Sequence, residues 1–117
     1  DACREALAAC EETIRPGATM GDVFDSHARV MEDHGFTDHR LNACGYSMGS
    51  TFPPNWMDWP MFFHGNPVEI GANMTFFLHM ILANSDNDHG MALGRSVAVT
   101  QTGCEPLHRA PLNLVVR

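Results

Sequence analysis

Two side chains stand out for the chemistry they can do. His79 sits in M-T-F-F-L-H-M-I-L, from Met74 to Leu82, and Arg95 in M-A-L-G-R-S-V-A-V-T, from Met91 to Thr100. An isolated charge in such apolar surroundings is costly, so each residue must be paired, hydrogen-bonded or in use. An imidazole exchanges protons near neutral pH and can act as general base or acid. A guanidinium is permanently charged and can grip a carboxylate through two parallel hydrogen bonds. The pair is open to two readings: a proton-transfer group, His79, with a substrate anchor, Arg95, or a hydrogen-bonded His79 and a paired Arg95 that are structural. Tyr46 and Ser47, in the stretch A-C-G-Y-S-M-G-S-T from Ala43 to Thr51, add hydroxyl donors for the same substrate.

The other polar residues carry weaker signals. Asp86, Asp88 and His89 lie in A-N-S-D-N-D-H-G, which lacks the twelve-residue calcium-loop pattern and reads as a solvated turn. His27 falls on an apolar helical stripe, where a buried structural imidazole is the expectation, and His34 suits a helix carboxyl end. Cys3, Cys10, Cys44 and Cys104 form no C-x-x-C pattern or zinc spacing. Cys3 and Cys10 are two helical turns apart, roughly 10 Å along the axis, too far to bridge. Reduced, mostly buried thiols in a cytoplasmic protein are expected.

The elements that position these residues follow from the pattern. Cys3, Leu7, Cys10 and Ile14 make one stripe of a helix over Asp1 to Arg15, ended by Pro16-Gly17. Thr19 with Asp22 gives a capping-box-like start to a second helix, whose stripe is Met20, Val23, Phe24, His27 and Met31 and whose stop is Gly35. Ala43 to Thr51 reads as a strand whose glycines mark a close approach or a cleft. Pro53, Pro54, Trp56, Trp59 and Pro60 open a long loop reaching Glu69, which forms a pocket wall or caps the core. Met74 to Leu82 is so apolar that it predicts a strand buried on both faces. The run from Asn84 to Gly90 turns the chain, and Leu93 to Thr100 returns as the second strand of an antiparallel hairpin. The fold class is α+β: two amphipathic helices packed on a small antiparallel sheet, one domain over residues 1–117 with no internal repeat.

Composition removes whole classes of function. The chain holds 7 basic side chains, none of them Lys, against 14 acidic ones, which excludes a phosphate-binding surface and hence nucleic acid. No window approaches the roughly 18 apolar residues of a membrane span, and the amino end lacks the signal-peptide pattern. A soluble, cytoplasmic protein is expected. The sequence starts at Asp1 without an initiator Met, so a fragment of a longer chain is also expected.

The order of these parts resembles the carboxyl-terminal half of the pita-bread superfamily, which includes creatinase, prolidase, Xaa-Pro aminopeptidase, methionine aminopeptidase and ectoine hydrolases. I-R-P-G-A-T-M-G-D-V, from Ile14 to Val23, resembles the family's R-P-G-x-T-x-x-D/E connection. G-Y-S-M-G, from Gly45 to Gly49, resembles its G-H-G-x-G strand, and Val97 through Gly103 resembles its V-x-V-T-x-x-G ending. The nearest likeness is to the creatinase-like and ectoine-hydrolase-like branch, with F-H-M where the peptidases carry E-P-G. In the family's metallopeptidases this half supplies one His and two Glu to a two-metal site. Carried over, the His falls on Tyr46, a second active-site His near Pro53, and the two Glu on His79 and Arg95. A guanidinium among the ligands would repel metal, so the family's site looks replaced and no metal or other cofactor is expected.

Three functions remain open on this reading. One is a metal-free hydrolase acting on C–N bonds of a small amino-acid-derived or dipeptide-like substrate, with His79 catalytic and Arg95, Tyr46 and Ser47 binding substrate. Another is a metal-dependent Xaa-Pro peptidase relative that uses divalent ions. The last is a non-catalytic binding or structural half, in which Arg95 pairs with a carboxylate such as Glu69 or Asp58 and His79 is hydrogen-bonded in the core. The family's full domain joins two similar halves, so either a missing amino-terminal half or a homodimer partner is expected to complete this one.

Overall fold

The computed structural model describes residues 1–49 and 58–113. Two helices, α1 (Ala2–Thr13) and α2 (Met20–Asp33), precede five strands: β1 (Gly45–Ser47), β2 (Asp58–Met61), β3 (Thr75–Asn84), β4 (His89–Val99) and β5 (Cys104–Pro106). The strands form one antiparallel sheet in the order β2-β1-β3-β4-β5. Helix α1 lies on β3, β4 and β5, and α2 packs on α1.

Local chemistry sets the helix ends. The Thr19 side chain accepts from the Asp22 N–H at 3.1 Å, and the Asp22 carboxylate accepts from the Thr19 N–H at 2.8 Å, closing the expected capping box. Those bonds hold the Asp22 carboxyl below its ordinary pKa. His34 caps the carboxyl end of α2, and its Nε2 meets Glu5 Oε2 at 2.8 Å, tying α2 to α1. The apolar stripes meet the sheet in a core that includes Leu7, Cys10, Ile14, Val23, Met31, Phe62, Phe76, Leu78, Met80 and Val97. All four cysteines are free, three of them buried.

The hairpin differs from its expectation in an instructive way. β3 is not buried on both faces: Phe76, Leu78 and Met80 are fully buried against the helix layer, whereas Phe77, His79 and Ile81 are only half-buried on the opposite, open face. A strand of period two with an apolar outer row reads as continuous in sequence, and among the described residues no second layer covers that row. The ladder also extends further toward its tip than expected, from Thr75↔Ala98 to Asn84↔His89, leaving four residues, 85–88, in the turn. Asn84 Oδ1 accepts from the N–H groups of Asp86 and Asn87 and shapes that turn.

Two elements were not foreseen. The long loop contains β2, an edge strand that tolerates Pro60 because an edge position needs no donor there. The tail adds β5 on the other edge, and Leu112 packs against the core. Pro53, Pro54, Trp56, Leu114 and Val115 lie outside the described residues. No helix among the described residues is long and apolar enough to cross a membrane.

Candidate functional site

Strand register decides which side chains share a face. Directly opposed residues of an antiparallel pair project to the same side, and His79 opposes Gly94, whereas Arg95 opposes Leu78. His79 therefore belongs to the open face and Arg95 to the helix-covered one. The helices confirm it: Arg95 Nη1 donates to both carboxylate oxygens of Glu11 on α1, at 3.1 and 3.3 Å. The two side chains are 16% and 22% exposed, so little water screens the pair. Cys104 donates its thiol to the Glu11 carbonyl at 3.3 Å, securing the same part of α1 to β5.

This corrects two expectations. The partner of Arg95 is Glu11, not Glu69 or Asp58, because α1 rather than the loop lies over that row of the sheet. Arg95 also does not share a site with His79, since the sheet backbone stands between them. Two groups that act on one substrate must project from one face. The position on β4 that accompanies His79 is thus Gly94.

On the open face Tyr46 of β1 joins Phe77 and His79 of β3. Ring centroids are 5.5 Å apart for Tyr46–Phe77, 5.7 Å for Tyr46–His79 and 6.1 Å for Phe77–His79. The three rings line a cleft of about 320 Å³ together with Ile81, Leu93 and Gly94. Tyr46 pairs with Phe77, so register brings the phenol to the imidazole side. Ser47 pairs with Phe76 of the buried row, so alternation places its hydroxyl on the other face, although the residue borders a hollow of about 250 Å³ with Tyr46 and Met48. Of the four residues expected to work together, the fold unites Tyr46 and His79.

The His79 imidazole is set up as a neutral group. Burial pushes its pKa below the ordinary value of 6.5, opposed in part by a backbone hydrogen bond. Its Nδ1 is buried with no hydrogen-bond partner among the described residues. The strand beneath it is fixed, because the His79 N–H donates to the Cys44 carbonyl at 2.9 Å. A neutral imidazole in an aromatic cleft can accept a proton, and the Tyr46 hydroxyl beside it can donate a hydrogen bond.

Residues 1–101 match the profile of metallopeptidase family M24. This chain belongs to that family. It is 34% identical over 115 residues to an uncharacterized hydrolase/peptidase of Sinorhizobium fredii, covering 94% of this chain and 27% of that protein. It is 30% identical over 107 residues to the ectoine hydrolase of Halomonas elongata, covering 91% of this chain and 26% of the relative. The dipeptidase PepE of Mycobacterium ulcerans superposes with a TM-score of 0.87 at 23% identity, over 97% of this chain and 29% of that one. Methionine aminopeptidase of Rickettsia prowazekii superposes with a TM-score of 0.74 at 18% identity, over 90% of this chain and 49% of that one. The M24 chain is half of a pita-bread fold and spans only about a quarter of the curated relatives' length.

The family name implies metal, and the donor set can be tested against it. A dinuclear centre needs several hard oxygen ligands, carboxylates above all, to neutralise two cations. The open-face cleft supplies one imidazole, one phenol, apolar side chains and a glycine. No group of three or more His, Cys, Asp or Glu among the described residues is arranged to hold a metal ion. These residues do not fit the two-metal centre. The position near Pro53, where a second histidine was expected by resemblance, lies outside the described residues. Gly94 and Phe77 are the cleft residues that sequence reading missed: Gly94 has no functional group, and Phe77 has the character of ordinary core.

Proposed function

We propose that this M24 chain is the carboxyl-terminal half of a hydrolase that breaks a C–N bond in a small amino-acid-derived substrate, with His79 standing where the family's metallopeptidases use a metal-binding carboxylate. The observation that carries the proposal is the cross-strand pair His79–Gly94, which leaves an imidazole and, among the described residues, no carboxylate at the centre of the open face. His79 takes a proton from the attacking water as its oxygen bonds to the substrate carbon. Tyr46 donates a hydrogen bond to the oxygen or nitrogen on which negative charge develops. His79 then returns the proton to the leaving nitrogen as the C–N bond breaks, so proton and bond counts balance. Arg95, committed to Glu11, and Ser47, whose hydroxyl lies on the other face of the sheet, take no part.

The open face of β3 is completed in this proposal by the other half of the fold, from a longer natural chain or from a second copy. Four free cysteines suit a reducing compartment, and we assign the protein to the cytoplasm. A non-catalytic binding half is the second reading, favoured by the lack, among the described residues, of another titratable side chain beside His79 and Tyr46 in the cleft.

The test is a hydrolysis panel of N-acyl amino acids, cyclic amidines and Xaa-Pro dipeptides on the natural full-length protein, with elemental analysis of the same sample. Turnover that survives exhaustive chelation and is lost in His79→Gln supports the proposal. Two divalent ions per chain, with activity that follows them, would sink it in favour of a metal-dependent peptidase. Saturable ligand binding without turnover would favour the binding half.

A further inference from the structure

A second hollow, of about 570 Å³, shares no lining residue with the His79 cleft. Helix α2 contributes Phe24 and Asp25, the connection to β1 contributes Arg40 and Asn42, and the segment after β2 contributes Phe63 and His64.

Arg40 is the unusual member. Arg4 is paired with Asp1 and Arg95 with Glu11, but among the described residues no carboxylate stands within salt-bridge distance of Arg40. Its Nη1 donates to the neighbouring Leu41 carbonyl at 3.3 Å, and its Nε is buried with no partner among the described residues. The guanidinium lies over the Phe24 ring, with Cζ 5.3 Å from the centroid. That aromatic face fixes the plane of the guanidinium but supplies no hydrogen-bond acceptor. A half-buried, oriented cation with no ion-pair partner among the described residues, in a protein of net charge −7, is a candidate to hold an anion.

The rest of the hollow gives that anion a shape. His64 is oriented by Asp25, Nδ1 to Oδ1 at 2.8 Å, which directs its Nε2 away from Asp25. The Asn42 side-chain amide can donate. Phe24 and Phe63 contribute apolar lining.

We infer that this hollow binds a small carboxylate with an aromatic or apolar body, its carboxylate held by Arg40 and Asn42 and its body against the apolar lining that includes Phe63. Asp25, paired with His64, repels a doubly charged anion more strongly than a singly charged one, which favours a monocarboxylate. The inference is independent of the His79 chemistry and stands or falls separately.

Benzoate is the probe, followed by two-dimensional NMR on the full chain. The expected result is saturable shifts at residues 24, 40, 42, 63 and 64, with none at Tyr46, Phe77 or His79. Benzyl alcohol, which keeps the ring and lacks the charge, is expected to bind at least about tenfold more weakly, as is benzoate to Arg40→Gln. Asn42→Ala removes a donor at an exposed position, and a several-fold loss there tests the site even if Arg40→Gln is poorly folded. Shifts that rise linearly without saturating, or equal binding of benzoate and benzyl alcohol, would overturn the inference. So would undiminished benzoate binding by both variants.

Discussion

The Phe77 ring lies over Gly94 so closely that a Cβ placed on Gly94 would stand 2.5 Å from Phe77 Cζ. The ring of one strand thus occupies the space of a side chain on the next, and it forms the floor of the cleft beside His79. Because the obstacle is the far end of a half-buried side chain, Gly94→Ala is expected to swing the ring aside at a cost of about 1 kcal/mol. Gly45 gives the contrast: a Cβ there would meet the Phe77 backbone oxygen at 2.4 Å and the Phe62 ring at 2.9 Å, neither of which can turn away. Gly45→Ala is expected to cost about 3 kcal/mol or more by strand displacement. Chemical denaturation of both variants checks the order, and equal losses would contradict this account of the cleft floor.

His79→Gln keeps size and hydrogen bonding but cannot exchange a proton. Turnover is expected to fall by roughly 10²- to 10⁴-fold with stability changed by less than about 1 kcal/mol. Burial lowers the His79 pKa below 6.5, so the base form persists to lower pH than for a solvated imidazole. The acid limb of kcat/KM is accordingly expected below pH 6.5, and an acid limb above that value would exclude His79 as the base.

Arg95 is expected to matter for stability and not for chemistry. Arg95→Met leaves the Glu11 carboxylate partly buried and unpaired, at a cost of about 2 to 4 kcal/mol, and Glu11→Gln with Arg95→Met recovers part of that loss. A double-mutant cycle by urea denaturation measures the coupling. A change in substrate binding by a well-folded Arg95→Met protein would return Arg95 to the site.

Much of this architecture was legible from local chemistry. The stripe from Cys3 to Ile14, the Thr19–Asp22 box and the two apolar runs around Asn84 to Gly90 are patterns written within single elements. What escaped was long-range register. A turn centred on Asn87 would set His79 opposite Arg95, whereas the four-residue turn at 85–88 is centred between Asp86 and Asn87 and sets His79 opposite Gly94. One residue of slip exchanges the faces of a strand, so a small error at the tip moved Arg95 from the helix layer to the cleft. Tyr46 escaped that error because β1 reaches β3 through its own register, Tyr46↔Phe77. Glu11 was invisible as a partner because it lies 84 residues from Arg95, and no local pattern links a helix to the strand it covers.

His27 offers a pH test of the helix layer. The residue is 1% exposed, its Nδ1 has no partner among the described residues, and burial first, then the charges of Arg40 and His79, lowers its pKa to about 4. In the unfolded chain the same imidazole titrates near 6.5. Between those values the unfolded state binds more protons than the folded one, so stability rises with pH and falls as the solution is acidified from 6.5 towards 4. The contribution lost across that window is about 3 kcal/mol. His27→Leu removes the titration while filling similar space, so its stability is expected to depend less on pH between 6.5 and 4 than that of the parent chain. Urea midpoints at pH 7.5 and 4.5 provide the measurement. Equal acid sensitivity in the two proteins would show that the buried imidazole is not the group that weakens the fold.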